Sequence, residues 1–163
     1  LLQAEKKKSL LSLPTLIISG KVHDRTNKLA TDVQGLISEL GLGDRVRLLG
    51  HVPAADLPAL YRGAKLFVFP SQYEGFGLPV LEALSMECPV IVSSNSSLPE
   101  VSGEAALLID GTDASAIAIA MDRVLTEPGL RETIGHQGRQ QAMRFSYKGF
   151  TEQVLRVCFL SRI

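Results

Sequence analysis

The sequence predicts an α/β protein, a Rossmann-like parallel sheet of about five strands with helices on both faces. Short apolar runs at residues 15–19, 45–49, 66–69, from 89 onward and at 105–109 alternate with segments of helical spacing. These runs are near-continuously apolar, as strands buried on both faces are. The chain has 163 residues and is 45% hydrophobic, which suits one domain with a sizeable core.

Taken in order, residues 1–12 (LLQAEKKKSLLS) carry leucines around a basic patch, as the end of an amphipathic helix does. Thr15 to Ser19 reads as the first strand, closed by Gly20 and Lys21. Lys28 to Leu40 has apolar residues at 29, 33, 36, 37 and 40, a helical period that Gly41 ends. Arg45 to Leu49 forms the next strand, with the loop Gly50-His51-Val52 at its carboxyl end. Asp56 to Arg62 is a short helix.

The segment that organises the chain is 66–92, LFVFPSQYEGFGLPVLEALSMECPVIV. Leu66 to Phe69 is a buried strand stopped by Pro70 and Ser71. A loop with Glu74, Gly75, Phe76 and Gly77 follows, and Pro79 suits a first helical turn, so a helix begins near residue 78. The free N–H groups and positive dipole end of that helix face the loop and favour phosphate or a sugar oxyanion, and glycine permits close approach of backbone to ligand. Glu82 stands one turn into the helix, eight residues after Glu74. Beyond the returning strand, Ser97 and Glu100 have the spacing of a capping box. Ala105 to Ile109 is the last strand, and Ala114 to Leu125, Gly129 to Phe145 and Phe150 to Leu160 are closing helices.

The run PSQYEGFGLPVLEAL followed by PVIVSSNSSLPEVSGEAALLID resembles the E-x7-E signature and downstream block of family 4 (group 1) retaining glycosyltransferases of the GT-B fold. The resemblance covers about Leu16 to Tyr147, including GDRVRLLGHVPAADLPALYRGAKLFVFPS. It implies the carboxyl-terminal, donor-binding lobe of such an enzyme, transferring a hexosyl unit from a nucleoside diphosphate sugar to an acceptor hydroxyl with retention. Glu74 would then be the catalytic-site carboxylate that meets the donor sugar. Glu82 would accept hydrogen bonds from the ribose diol, as the acidic residue of dinucleotide folds does. Gly75, Phe76, Gly77 and Leu78 would offer backbone N–H groups, while His51 and Val52 would line the nucleotide side; Phe76 fits a core position equally well. Lys21 and Arg25 are candidates on position alone, since they follow a strand's carboxyl end on the rim where α/β folds bind ligands.

Two departures accompany the resemblance. The strand, glycine-rich turn and following Arg and Lys that hold the donor diphosphate in the family have no counterpart here, so the chain reads as a lobe truncated at its amino end, with the acceptor-binding lobe absent. Where the family has glycine two residues before Pro-Val, this chain has Glu87 before Cys88 and Pro89.

Seventeen basic and seventeen acidic residues balance, which argues against a nucleic-acid partner. No apolar run approaches 18 residues and no signal-peptide pattern opens the chain, so the expected location is cytoplasmic, either free or peripheral at a membrane in the full-length protein. No D-x-D pair exists for a metal diphosphate; Asp110 and Asp113 lie beyond the last strand, and no metal or other cofactor is expected. Cys88 and Cys158 have no metal-ligand spacing and read as reduced structural residues. Val154, Leu155, Val157, Cys158, Phe159, Leu160 and Ile163 form an apolar carboxyl end suited to covering another lobe. The partners expected are a nucleotide sugar, the missing lobe and a glycan or lipid-linked glycan as acceptor. Two rival readings keep the same fold: a nucleotide-sugar binding module without catalysis, and an interaction scaffold with a decayed site.

Overall fold

Five parallel strands and seven helices make up the described part of the chain, residues 14–21 and 31–160 of a computed structural model. Two units are distinguished, residues 1–57 and 58–163.

In the first unit, β1 (Leu16–Ser19) pairs in parallel with β2 (Val46–Gly50), from Leu16 opposite Val46 to Ser19 opposite Gly50. Between them lies α1 (Val33–Glu39), whose amino end is set by Asp32: Oδ1 accepts the Gly35 N–H at 2.9 Å. Residues 28–30 of the helix expected from Lys28 to Leu40 lie outside the described residues. Gly41, at φ +65°, ends it as expected. The apolar side chains of this ladder are less covered than their sequence suggests, with Leu16 and Ile17 about half exposed. A two-strand ladder has only edges and buries little by itself. The expected helix in residues 1–12, and Arg25, lie outside the described residues.

The second unit holds the core. Its helix α2 (Leu57–Gly63) leads to β3 (Phe67–Phe69), α3 (Leu78–Ser85) and β4 (Val90–Ser93). The chain continues through α4 (Leu98–Ser102), β5 (Leu107–Ile109), α5 (Ala114–Thr126), α6 (Pro128–Ala142) and α7 (Tyr147–Leu160). The strands form one parallel sheet in the order β3-β4-β5, with Val68 opposite Ile91 and Ile91 opposite Leu107. The parallel α/β architecture is the expected one. Among the described residues the hydrogen-bonded ladders are β1-β2 in the first unit and β3-β4-β5 in the second, five parallel strands as expected.

All four residues of β4 have no exposed surface. On one face of the sheet, Val68, Ile91, Leu107 and Ile109 pack with Ala120 and Val124 of α5 and Ile134 of α6. On the other, the Tyr61 ring of α2 meets Phe67 edge-on, with centroids 5.3 Å apart. Helices therefore cover both faces, and each fully buried Val or Ile contributes about 1.5–3 kcal/mol of transfer free energy.

Helix α6 presses against the corner where α3 turns into β4. A Cβ on Gly135 would lie 2.8 Å from the Glu87 carbonyl oxygen, and one on Gly138 would lie 2.9 Å from Leu84 Cδ2. Glu87 sits at φ +58°, so the turn keeps the left-handed conformation that glycine would favour. Its carboxylate is held by Arg139 at 2.6 Å, with His136 Nδ1 at 3.8 Å. The Arg139 hydrogen bond is the main cause holding the Glu87 carboxyl below its ordinary value. The departure at Glu87 thus leaves the turn intact.

Helix α7 begins three residues before the expected Phe150 and leaves Tyr147, Phe150, Leu155 and Val157 exposed. Among the described residues, no helix is long and apolar enough to cross a membrane.

Candidate functional site

The loop between β3 and α3 leaves the sheet at the carboxyl end of β3, where parallel α/β sheets place ligands. Pro70 stops the strand, and Ser71 Oγ donates to the Tyr73 carbonyl at 3.3 Å. Gly77 is the N-cap of α3 at φ +104°, and a Cβ there would stand 2.8 Å from Leu98 Cδ2. Conformation and space both demand glycine at this position. Gly75 has nothing within 4 Å of its would-be Cβ, so the two glycines, equivalent in the sequence, differ in the structure.

Helix α3 starts at Leu78 with Pro79 in its first turn, as expected. The Gly77 carbonyl accepts from Val80 at 3.0 Å and from Leu81 at 3.2 Å. Among the described residues, no hydrogen-bond acceptor is recorded for the N–H groups of Gly75, Phe76, Gly77 and Leu78. Leu78 is 53% exposed at the helix start. Phe76 is 40% exposed, its ring edge-on to Phe145 at 5.8 Å, so it packs on the segment after α6 rather than in the core.

Glu82 is exposed on α3, and helix geometry tilts its side chain back toward the loop. The hydroxyl of the buried Tyr61 donates to Glu82 Oε2 at 3.3 Å. Burial first, and the Glu82 charge next, push the Tyr61 hydroxyl up to about 12, so it remains a donor across the neutral range. Tyr61 carries no sequence signal for this contact; it reads as one aromatic in a short helix.

Glu74 is half-buried and held through its backbone. Ser96 Oγ accepts the Glu74 N–H at 3.0 Å and donates to the Glu74 carbonyl at 2.6 Å. Ser97 Oγ lies 3.0 Å from the Glu74 carbonyl and 2.8 Å from that of Phe76. These contacts correct the capping-box reading: Ser97 is the N-cap residue of α4, yet its hydroxyl makes no cap hydrogen bond and serves the 74–77 loop instead. A capping pattern is local, whereas this partner lies more than twenty residues away. Among the described residues, no hydrogen bond to the Glu74 carboxylate is recorded, which leaves it open to a ligand.

Lys21, His51 and Val52 belong to the first unit. Gly20 donates to the Gly50 carbonyl at 2.7 Å, so Lys21 and His51 follow directly from paired positions at the carboxyl end of the β1–β2 ladder. Lys21 and His51 are exposed and Val52 is half-buried. The residues brought together around α3 are Tyr61, Glu74–Leu78, Glu82, Ser96 and Ser97.

Asp110 and Asp113 are occupied locally. Asp110 Oδ1 accepts from Thr112 N–H at 2.8 Å and from its hydroxyl at 2.7 Å, and Asp113 caps α5 through the Ser115 and Ala116 amides. Among the described residues, no three His, Cys, Asp or Glu side chains gather in a metal-ligand cluster. Both cysteines are free thiols; Cys88 is buried, its thiol pushed up to about 12 by that burial, and Cys158 is exposed.

A family model described as glycosyl transferases group 1 matches residues 2–141. The O-antigen chain mannosyltransferase B of Escherichia coli is 46% identical over 110 residues, covering 68% of this chain and 29% of that protein. Sucrose-phosphate synthase from Thermosynechococcus elongatus superposes with a TM-score of 0.78 at 30% identity, over 96% of this chain and 41% of that one. The Anabaena protein Alr3699/HepE, solved in complex with UDP-glucose, shares the fold with a TM-score of 0.75 at 23% identity, over 96% of this chain and 44% of its own. The chain spans less than half the length of each. By the family match over residues 2–141, it belongs to the group 1 glycosyl transferases.

Proposed function

We propose that this chain is the donor-binding part of a retaining glycosyltransferase and holds a nucleoside diphosphate hexose on the 74–82 segment. The observation that carries the reading is the paired arrangement at α3: four backbone N–H groups at 75–78 beside a helix start, with a carboxylate fixed by Tyr61 one turn further in. Donors at a helix terminus suit the diphosphate. Glu82 can accept two hydrogen bonds from the ribose 2′ and 3′ hydroxyls, while the phenol keeps its carboxylate in one place. Glu74, on the loop beyond the helix start, then meets the hexose hydroxyls near the reacting carbon. His51 and Val52 are assigned to the nucleotide side on family resemblance, and Lys21 on its place after the carboxyl end of a strand, on the rim where α/β folds bind ligands.

The chemistry asked of these groups is positioning and charge stabilisation, not proton relay. As the sugar–phosphate bond breaks, negative charge grows on the leaving diphosphate, and preorganised N–H donors stabilise it more than they stabilise the bound donor. Retention would place the acceptor oxygen on the face that the diphosphate leaves. The proposal takes this to proceed without a divalent cation. The acceptor, a glycan or lipid-linked glycan, would be brought by the rest of a longer protein, because rate gains of this kind need both substrates held in line.

Calorimetric titration of this chain with uridine, guanosine and adenosine diphosphates and their hexose conjugates, with and without EDTA, tests the donor assignment. A mannosyl conjugate heads the panel because the 46% identical relative is a mannosyltransferase. Saturable binding that Glu82→Gln weakens and EDTA leaves alone is expected. Binding that Glu82→Gln does not change would remove Glu82 from the ribose. Transfer by the full-length protein, with the product anomer read by NMR, separates an enzyme from a binding module or a decayed scaffold.

A further inference from the structure

The 74–77 loop owes its orientation to a second loop, residues 94–97 after β4. Resting on the donor-site reading above, we propose that Ser96 and Ser97 are positioning residues that aim the N–H groups of Gly75 and Gly77 at the donor diphosphate.

The argument runs through peptide geometry. Ser96 Oγ engages both main-chain polar groups of Glu74, accepting its N–H at 3.0 Å and donating to its carbonyl at 2.6 Å. A hydroxyl is both donor and acceptor, so one short side chain can do both. Ser97 Oγ stands within hydrogen-bond distance of the Glu74 and Phe76 carbonyls, which share its single proton. The carbonyls of residues 74 and 76 are thereby turned toward the serines. In a planar trans peptide the C=O and the next N–H point in opposite directions, and the described chain has no cis bond. The N–H groups of Gly75 and Gly77 therefore point to the side away from the serines, together, as alternate members of a short donor row. Among the described residues, no acceptor is recorded for either.

The serine loop is a firm support for this. It is bounded by Ser93 and Leu98, both without exposed surface, and Leu98 is the side chain against which Gly77 packs. Ser96 itself sits at φ +60°, a conformation that L residues adopt rarely and keep where surrounding contacts hold them. Phosphate oxygens, as acceptors carrying charge, are the ligand chemistry that two N–H donors on one side of a loop fit.

The test uses isotope-labelled chain with Ser96→Ala, Ser96→Gly and Ser97→Ala, reading amide exchange at Glu74 and titrations with UDP, GDP, ADP and the matching monophosphates. Ser96→Gly removes the hydroxyl while suiting the left-handed backbone, so its losses do not come from misfolding. Both Ser96 variants are expected to speed Glu74 amide exchange about tenfold. They should weaken the best diphosphate about five- to tenfold and its monophosphate much less, with smaller ligand-induced shifts at Gly75 and Gly77. Ser97→Ala should show the same pattern, more weakly. Unchanged Glu74 exchange, unchanged diphosphate affinity, or equal losses for mono- and diphosphate would overturn the proposal. If the unaltered chain binds none of the diphosphates, the donor-site reading falls, and the hold of Ser96 on the loop is decided by the exchange rate alone.

Discussion

The 74–77 loop and helix α3 each carry one carboxylate of the acidic pair, and they hold it in opposite ways. At Glu74 the backbone is pinned by Ser96 and Ser97 while the carboxylate has no recorded partner. At Glu82 the backbone is ordinary helix and the carboxylate itself is tied to Tyr61. A carboxylate fixed in advance suits a contact that is the same before and during reaction, such as a ribose diol. A free carboxylate on a fixed backbone suits a group that meets a sugar whose charge and shape change. The pair is symmetrical in sequence and asymmetrical in structure, and on the proposed donor-site reading that asymmetry would divide binding from turnover.

The sharpest way to break that division is Glu74→Ala in the full-length protein. Turnover should fall by on the order of 10²–10³, with affinity for the bare nucleoside diphosphate changed less than about threefold. Equal losses would make Glu74 a nucleotide ligand. Next in size is the hinge between the two regions. Gly77→Ala should destabilise the chain by about 1–3 kcal/mol, through positive φ and overlap with Leu98. Gly75→Ala, with open space around it, should leave thermal unfolding nearly unchanged; a similar shift for both would contradict the distinction.

Glu82→Gln should weaken nucleotide binding by about 1–3 kcal/mol, the range for hydrogen bonds to a charged group, without moving the melting temperature. Tyr61→Phe, which removes only the phenol oxygen, should cost about 0.5–1.5 kcal/mol of that same affinity, and nothing further in the Glu82→Gln background. Additive losses in the double variant would mean that Tyr61 acts elsewhere.

The smallest effect is expected at Glu87→Gly, remote from both acids in role. Glycine relieves a left-handed residue but loses the Arg139 pair, so the two changes oppose each other. The pH dependence separates them. The Arg139 hydrogen bond depresses the Glu87 carboxyl, so its contribution is full above the ordinary value of 4.5 and is lost as pH falls through the lower folded-state value. Melting curves should therefore favour the unaltered chain more at pH 6 than at about pH 3. A pH-independent difference would show that the ion pair contributes nothing.

Much of this was legible in the sequence, and the parts that were not share a cause. The five strands and the start of α3 at residue 78 follow from local signals, apolar runs and Pro79, whereas the roles proposed for Glu74 and Glu82 rest on family resemblance. Local chemistry also misled. Ser97 fits a capping pattern while its hydroxyl reaches the Glu74 and Phe76 carbonyls. Tyr61 and Ser96 act across 21 and 22 residues of chain, a separation at which periodicity and spacing carry no information. The half-exposed leucine and isoleucine of β1 depend likewise on which elements become neighbours within their unit.

The most direct test of the central claim is an NMR titration of this chain with UDP, GDP and ADP, following backbone amides. The account predicts saturable binding to at least one, with Kd about 0.1–1 mM. The shifts should concentrate at Gly75, Phe76, Gly77, Leu78 and Glu82, and Glu82→Gln should weaken them. No shift with any of the three at millimolar ligand, or shifts centred away from residues 74–82, would contradict it.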